Sequence, residues 1–325
     1  MKKLRANGKS SSFRTRTEVI PIIVLRGKLV NLASEIKKHK HAYVLLAPFF
    51  LIFVTFTVLP VIMSFVLSFS SFNMLEPPSW VGWQNYAKLF VQDDVFLIAL
   101  KNTFLFAFIT GPVSYAACFF FAWLINELPP KLRALLTLIL YAPSIAGNTY
   151  LIWQTLFSSD TYGFMNAFLM KWGFILEPIQ WLQDTNYMLG ILMIVQLWLS
   201  LGTAFLSFIA GLQNVDRTLY EAGSIDGVRN RWQELWFITL PAMRPQLMFG
   251  AVIQITSAFA VAEISINLLG FPSVDYAGHT IVTHLIDYGS VRFEMGYASA
   301  IATVLFAIML GANMITQKLL RKVGE

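Results

Sequence analysis

The chain has 325 residues, 56% hydrophobic and 13% charged, with a net charge of +6 and a mean hydropathy of +0.61. That apolar share exceeds the usual range of soluble domains, and it is gathered into runs long enough to cross a bilayer as helices of about 20 residues. The single cysteine, Cys118, excludes an intrachain disulfide, and four scattered histidines (His39, His41, His279, His284) offer no structural metal site.

In chain order, residues 1–41 form a basic tail. Its run Val19 to Leu25 contains Pro21 and is too short to cross, whereas Leu29 to Ile36 fits either an interfacial amphipathic helix or a plain basic tail. Gly8-Lys9-Ser10 ends like a phosphate loop, but Lys3 stands where its first glycine belongs and no strand precedes it.

Six spans come next: Tyr43 to Ser68, Asn102 to Ile125, Ala134 to Phe157, Met188 to Ala210, Met248 to Leu269 and Ala298 to Ile315. No ten-residue alternation of a β-barrel accompanies them, so the expected class is an all-α membrane protein with six transmembrane helices. Both termini then share one side, which carries 20 of the lysines and arginines against 4 on the other. The positive-inside bias makes that side cytoplasmic. The basic balance therefore reflects topology and membrane lipid rather than nucleic acid.

The largest polar connection on the cytoplasmic side runs from Gly211 to Pro245 and reads as two short helices. Asp216 is the expected N-cap of the first, Gly227 its stop, and Pro241 and Pro245 bracket the return to the membrane. Leu219, Ala222, Gly223 and Ile225, then Trp232, Leu235, Trp236 and Ile238, give it an apolar face. Such a face either seals this bundle or meets a partner.

Glu221, Ala222, Gly223, Asp226 and Gly227, followed by Ile238, Leu240 and Pro241, resemble the EAA motif of permeases in binding-protein-dependent ABC importers. The segments WVGWQNY (Trp80 to Tyr86) and ALKNT (Ala99 to Thr103), and the start APFFLIFVTFTVLPV, are similar to the first permease subunit of the carbohydrate class. The resemblance covers residue 42 onward and implies a type I ABC importer permease fold. It also implies that Glu221, Ala222, Gly223, Asp226, Gly227, Leu240 and Pro241 belong to a coupling segment seated on an ATPase subunit. Two departures stand out: Gly223 replaces the second alanine, and the interval from Gly227 to Pro241 is one residue longer than the family pattern. One added residue turns a helix by about 100°, which puts the phase of the two loop helices in question.

A polar solute needs replacement hydrogen bonds to cross. Gln196, Ser200 and Thr203 recur at helical spacing along one face of the fourth span, with Trp198 and Trp153 as rings able to stack on a sugar. By distance from Glu221, the resemblance carries the sugar contacts of a maltose-type permease to Gln196, Ser200 and Thr203, and to Ser257 with Gln254 beside it. Small polar residues of this kind equally glue spans together. Glu263, the one acid within an expected span, fits an outer gate or a solvated carboxylate at the external mouth. The external segments, which the resemblance assigns to receiving a binding protein, are rich in aromatics suited to the membrane interface.

The chain shows no catalytic constellation and no nucleotide site of its own. The resemblance implies a second homologous permease, two ATPase subunits that bind ATP and Mg, and an extracytoplasmic solute-binding protein, all at a bacterial cell membrane. Its cargo is a sugar or oligosaccharide, with acidic ones such as alginate- or pectin-derived chains among the options. The competing reading is an ion-coupled secondary transporter of a polar solute, for which Glu263 is the natural proton or sodium group.

Overall fold

The computed structural model describes residues 38–320. The chain divides into two compact units, one ending at Val61 and one beginning at Ile62, each described by itself. The tail expected over residues 1–41 lies outside the described residues except for its last four, so neither the run Val19 to Leu25 nor the segment Leu29 to Ile36 is described. The first unit contributes most of α1 (Lys40–Leu67), an apolar helix with a wide turn at Val54–Val58.

After α1, the second unit carries a minimal hairpin. β1 (Ser70–Ser71) pairs antiparallel with β2 (Ser79–Trp80), in the register Ser70 to Trp80. Asn73 closes the turn, its side-chain oxygen accepting from the amides of Leu75 and Glu76. The later helices start where short polar residues satisfy free amides. Asp93 accepts from Phe96 N at 2.9 Å and starts α2 (Asp94–Asn126) at Asp94, ahead of the expected Asn102. Pro130 occupies the first turn of α3 (Pro130–Ile145), where its missing amide costs nothing. Asp184 caps α6 (Thr185–Leu199), after α4 (Tyr150–Leu156) and the short helix α5 (Phe164–Lys171).

Three of the six expected spans are not single rods. The third is α3 and α4 with an 86° bend between them, at a connection where Asn148 has φ +57°. The fourth is interrupted over residues 200–202 between α6 and α7 (Thr203–Gln213). The loop after it carries α8 (Arg217–Ile225) and α9 (Arg231–Glu234). The fifth span is interrupted over residues 260–262 between α10 (Arg244–Phe259) and α11 (Glu263–Leu269). After α12 (Ile281–Ile286), the sixth is the continuous α13 (Met295–Leu320). Broken backbone at membrane depth is tolerated where protein buries it or where it lines a polar cavity.

The core is built around α2. Toward its N-terminal end Phe96 and Ala107 pack with Phe259, Ile281, Ile301 and Leu305. Midway, Phe106 meets Leu192, Val195, Val261 and Leu268. Near its other end Cys118 and Ala122 meet Phe205, Phe208, Met243 and Leu247. A small residue permits one close approach: a β-carbon on Gly250 of α10 would collide with the ring of Phe208 on α7.

Candidate functional site

The loop between the fourth and fifth spans is built from local rules. Asp216 accepts from Thr218 N at 2.9 Å, and that amide holds its carboxyl below the usual carboxylate range. Glu221, Ala222 and Ile225 are exposed on α8, whereas Gly223 is buried. Gly227 then turns the chain at φ +94°, and Val228 N donates to Gly223 O at 2.9 Å, closing a Schellman motif. Asp226 supplies the cap position and stays exposed.

Both departures from the motif have a physical counterpart. A β-carbon on Gly223 would lie 2.5 Å from Ile238 Cδ1, so the isoleucine occupies the space an alanine methyl would take. Residues Leu235–Thr239 form a wide turn with i to i+5 hydrogen bonding, which takes up an additional residue without rotating the downstream residues by a full helical step. Thr239 fills the widened turn, donating to Glu234 O at 3.2 Å and sharing a 2.9 Å hydrogen bond with Tyr220 OH. Leu240 and Pro241 are half-buried, with Leu240 against the core cluster of Phe205 and Phe208. These two residues therefore seat the loop, while Glu221, Ala222, Asp226 and Gly227 form its exposed face.

The loop is also tied to the connection between α2 and α3. Arg231 contacts Glu127 at 2.8 Å and Glu234 at 2.9 Å, and Trp123 lies 5.3 Å from Trp232 between ring centres. The hydrogen bond to Glu234 and the charge of Glu127 raise the Arg231 pKa further.

The expected stripe on the fourth span is corrected by its interruption. Gln196 and Ser200 are buried and Thr203 is exposed, because the break over 200–202 ends the regular 3.6-residue repeat. Ser200 Oγ donates back to Leu197 O at 2.6 Å. Gln254 is buried, donating to Ser200 O and to Cys118 Sγ, each at 3.1 Å. It thereby joins Gly202 N and Cys118 Sγ as donors to the carbonyl at the break. Gln196 donates to Ser257 Oγ at 3.3 Å, and Ser257 is exposed. Trp198 is half-buried, its ring edge-on to Trp153 at 5.5 Å, and the buried indole N–H of Trp153 has no hydrogen-bond partner. Glu263 is exposed at the first residue of α11, directly after the break in the fifth span.

The motifs WVGWQNY and ALKNT act as staples. In WVGWQNY, Gly82 takes φ +62°, Asn85 donates to Ser68 O and Ser70 O, and Phe69, Trp80, Trp83 and Tyr86 cluster with centroids 5.0–5.6 Å apart. Trp80 and Trp83 remain 72% exposed, as an interface-facing platform would be. In ALKNT, Asn102 donates to the carbonyls of Tyr276, Ala277 and His279, and Thr103 Oγ1 accepts from Ile281 N.

Residues far apart in sequence form a further network that no sequence signal marks. His284 Nε2 lies 3.0 Å from Asp93 Oδ2, His279 Nε2 lies 3.3 Å from His284 Nδ1, and Tyr297 OH donates to Asp93 Oδ2 at 2.7 Å. Two of the four histidines, His279 and His284, therefore meet each other, and the latter meets the distant Asp93. Burial, with the neighbouring His284, pushes His279 down to about 4. Burial opposes ionisation of Asp93, yet hydrogen bonds from His284, Phe96 N and Tyr297 hold its carboxyl well below the usual range.

Comparison with known proteins gives a consistent picture. Residues 120–324 match the family described as binding-protein-dependent transport system inner membrane component. A probable ABC transporter permease, YesP of Bacillus subtilis (strain 168), is 32% identical over 277 residues, spanning 84% of this chain and 88% of the relative. The arabinooligosaccharides transport system permease AraP of the same organism is also 32% identical, over 85% of this chain and 87% of its own. Among solved structures, a chain of a bacterial alginate ABC transporter in complex with alginate pentasaccharide-bound periplasmic protein superposes with a TM-score of 0.68. It is 25% identical, with 90% of this chain and 99% of that chain covered.

Proposed function

Because this chain belongs to the family of binding-protein-dependent transport system inner membrane components, we propose that it is the non-catalytic membrane subunit of an ATP-driven sugar or oligosaccharide importer. A second permease would enclose the path with it, two ATPase subunits would bind ATP and Mg, and an extracytoplasmic binding protein would deliver the sugar. Arabinooligosaccharide and alginate transport by relatives supports the cargo class. The charge bias supports a cell membrane placement with both termini in the cytoplasm.

The observation that carries the reading is the construction of α8. It is capped at both ends and held through the Tyr220–Thr239 hydrogen bond, while Arg231 on α9 ties the same loop to Glu127, yet the exposed face of α8 carries Leu219, Ala222 and Ile225 beside Glu221. A short helix fixed on one side and apolar on the other transmits a push as a rigid body. In the reconstituted complex, Glu221→Lys or Ala222→Trp should preserve membrane insertion and lower substrate-stimulated ATP hydrolysis more than about tenfold, the effect of losing about 1.4 kcal/mol of docking. Unchanged stimulated turnover would refute the assignment.

For the solute path we assign Thr203, Ser257, Glu263 and Trp198, which are exposed or half-exposed beside the breaks in the fourth and fifth spans. Gln196, Ser200 and Gln254 are assigned to hold those breaks in place, since each is buried and hydrogen-bonded. Glu263→Gln should weaken uptake of a neutral sugar several-fold without lowering expression. The secondary-transporter reading is tested in the same vesicles: uptake should follow ATP and persist when ion gradients are collapsed.

A further inference from the structure

On the side proposed as cytoplasmic, a cavity of about 480 Å³ opens among the ends of three spans and the coupling loop. Asn126 is the last residue of α2, Arg133 lies in the first turn of α3, and Arg217 and Tyr220 on α8 form the opposite wall. The charge balance inside it is uneven. Arg231 engages both carboxylates of the cavity, Glu127 at 2.8 Å and Glu234 at 2.9 Å. Arg133 uses one nitrogen, Nη1, on the carbonyl and side-chain oxygen of Asn126, at 3.4 and 3.2 Å. Among the described residues no carboxylate pairs with Arg133 or Arg217, and the adjacent Asp216 is committed to Thr218 N.

Three arginines against two glutamates leave the cavity with a net charge of +1, and the guanidinium groups of Arg133 and Arg217 keep donors that no described carboxylate takes up. Like charges confined together repel, and a concave site concentrates their field on a counter-ion. Planar, multi-donor guanidinium groups match the oxygens of a phosphate, and basic pockets between span ends at the cytoplasmic surface suit phosphate headgroups. We propose that this cavity binds a phosphate group, and that its occupant braces the coupling loop against the ends of α2 and α3. The phosphate has two sources with the same chemistry, the headgroup of an anionic phospholipid or a soluble phosphate ester. The inference rests on the permease reading for its place at the cytoplasmic leaflet.

The test uses the complete transporter, with partner permease, ATPase subunits and binding protein, in phosphatidylcholine nanodiscs. One arm adds phosphatidylglycerol and counts retained lipid by native mass spectrometry. The other titrates glycerol phosphate by calorimetry at low salt. Binding through either arm should weaken about fivefold in Arg217→Gln and again in Arg133→Gln, in line with one surface cation each, and less in Arg217→Lys. A headgroup source gives the loss in the first arm, a soluble ester in the second. Equal binding by wild type and both glutamine variants in each arm, or none at all, overturns the proposal. Substrate-stimulated ATP hydrolysis in the same discs separates the two readings. Its absence from the wild type sinks the permease assignment, whereas normal hydrolysis without discriminating anion binding sinks only the phosphate site.

Discussion

At Gly227 the backbone sits at φ +94°, a region where a β-carbon is strained, so the glycine expected as a helix stop is required there by geometry. Gly227→Ala should cost about 1 kcal/mol, seen as faster hydrogen exchange in residues 217–228 with insertion unchanged; unaltered exchange would contradict the Schellman closure. Gly223 is different, because its constraint comes from Ile238, fifteen residues away. Gly223→Ala should destabilise the loop by on the order of 1 kcal/mol, and adding Ile238→Val should recover much of that by removing the Cδ1 methyl. Equal effects of Gly223→Ala in both backgrounds would show that the two sites do not couple. The glycine stop was legible from local sequence, while the reason for glycine in place of alanine was not, since it depends on a packing partner brought in by the wide turn at Leu235–Thr239.

Among the elements, the interrupted spans and the external segment 270–291 carry the functional detail. Gln254 holds the break in the fourth span through Ser200 O, and Gln254→Leu leaves that buried carbonyl with one donor fewer. A loss of about 1–2 kcal/mol is expected, read as a lower melting temperature of the purified complex. The external segment is pinned to α2 by Asn102 and Thr103, to the break in the fifth span by Thr280 Oγ1 on Val261 O, and to α11 by Ser265 Oγ on Gly278 O. The buried His279 within it titrates at about 4 when folded, against 6.5 ordinarily. A depressed value means that the unfolded form binds the extra proton first, so stability is full above about pH 6.5 and falls as pH drops toward 4. Asp93 adds a loss of the same sign at lower pH still. Protection factors over residues 274–291, corrected for the intrinsic pH dependence of amide exchange, should therefore fall between pH 7 and pH 4.5, and His279→Gln should flatten that dependence. A profile in the variant as steep as the wild type would assign it elsewhere. Other charges facing this pair are Asp287 and Arg292, which contact each other at 2.6 Å, with Lys88 and Glu294 in a second ion pair.

For the whole molecule, the decisive question is sidedness, and the lone cysteine makes it accessible. Cys118 is buried, so an introduced thiol labels against a low background. Ile225→Cys should react with an impermeant maleimide only in inside-out vesicles and Pro77→Cys only in right-side-out ones. The reverse pattern would overturn the orientation and with it the coupling role of α8. The link between the two connections is testable by charge exchange. Arg231→Glu should loosen the loop, and Glu127→Arg in the same chain should restore part of it. The pair is largely exposed, so the effect should stay below about 1 kcal/mol.

Sequence alone determined the membrane class, the six apolar segments, the uneven distribution of basic residues among the connections and the extent of the long polar loop after the fourth span, because hydropathy, caps and glycine stops act over a few neighbouring residues. The single helical face expected of Gln196, Ser200 and Thr203 is lost at the break over residues 200–202, since periodicity presumes an unbroken helix. The tertiary structure decided which polar residues are spent on holding those breaks and which stay exposed. It also decided that Asp93 joins His279 and His284, and that Arg133 and Arg217 face a common cavity. Those outcomes depend on burial and on partners up to 191 residues apart in the chain, a separation over which local pattern carries no information.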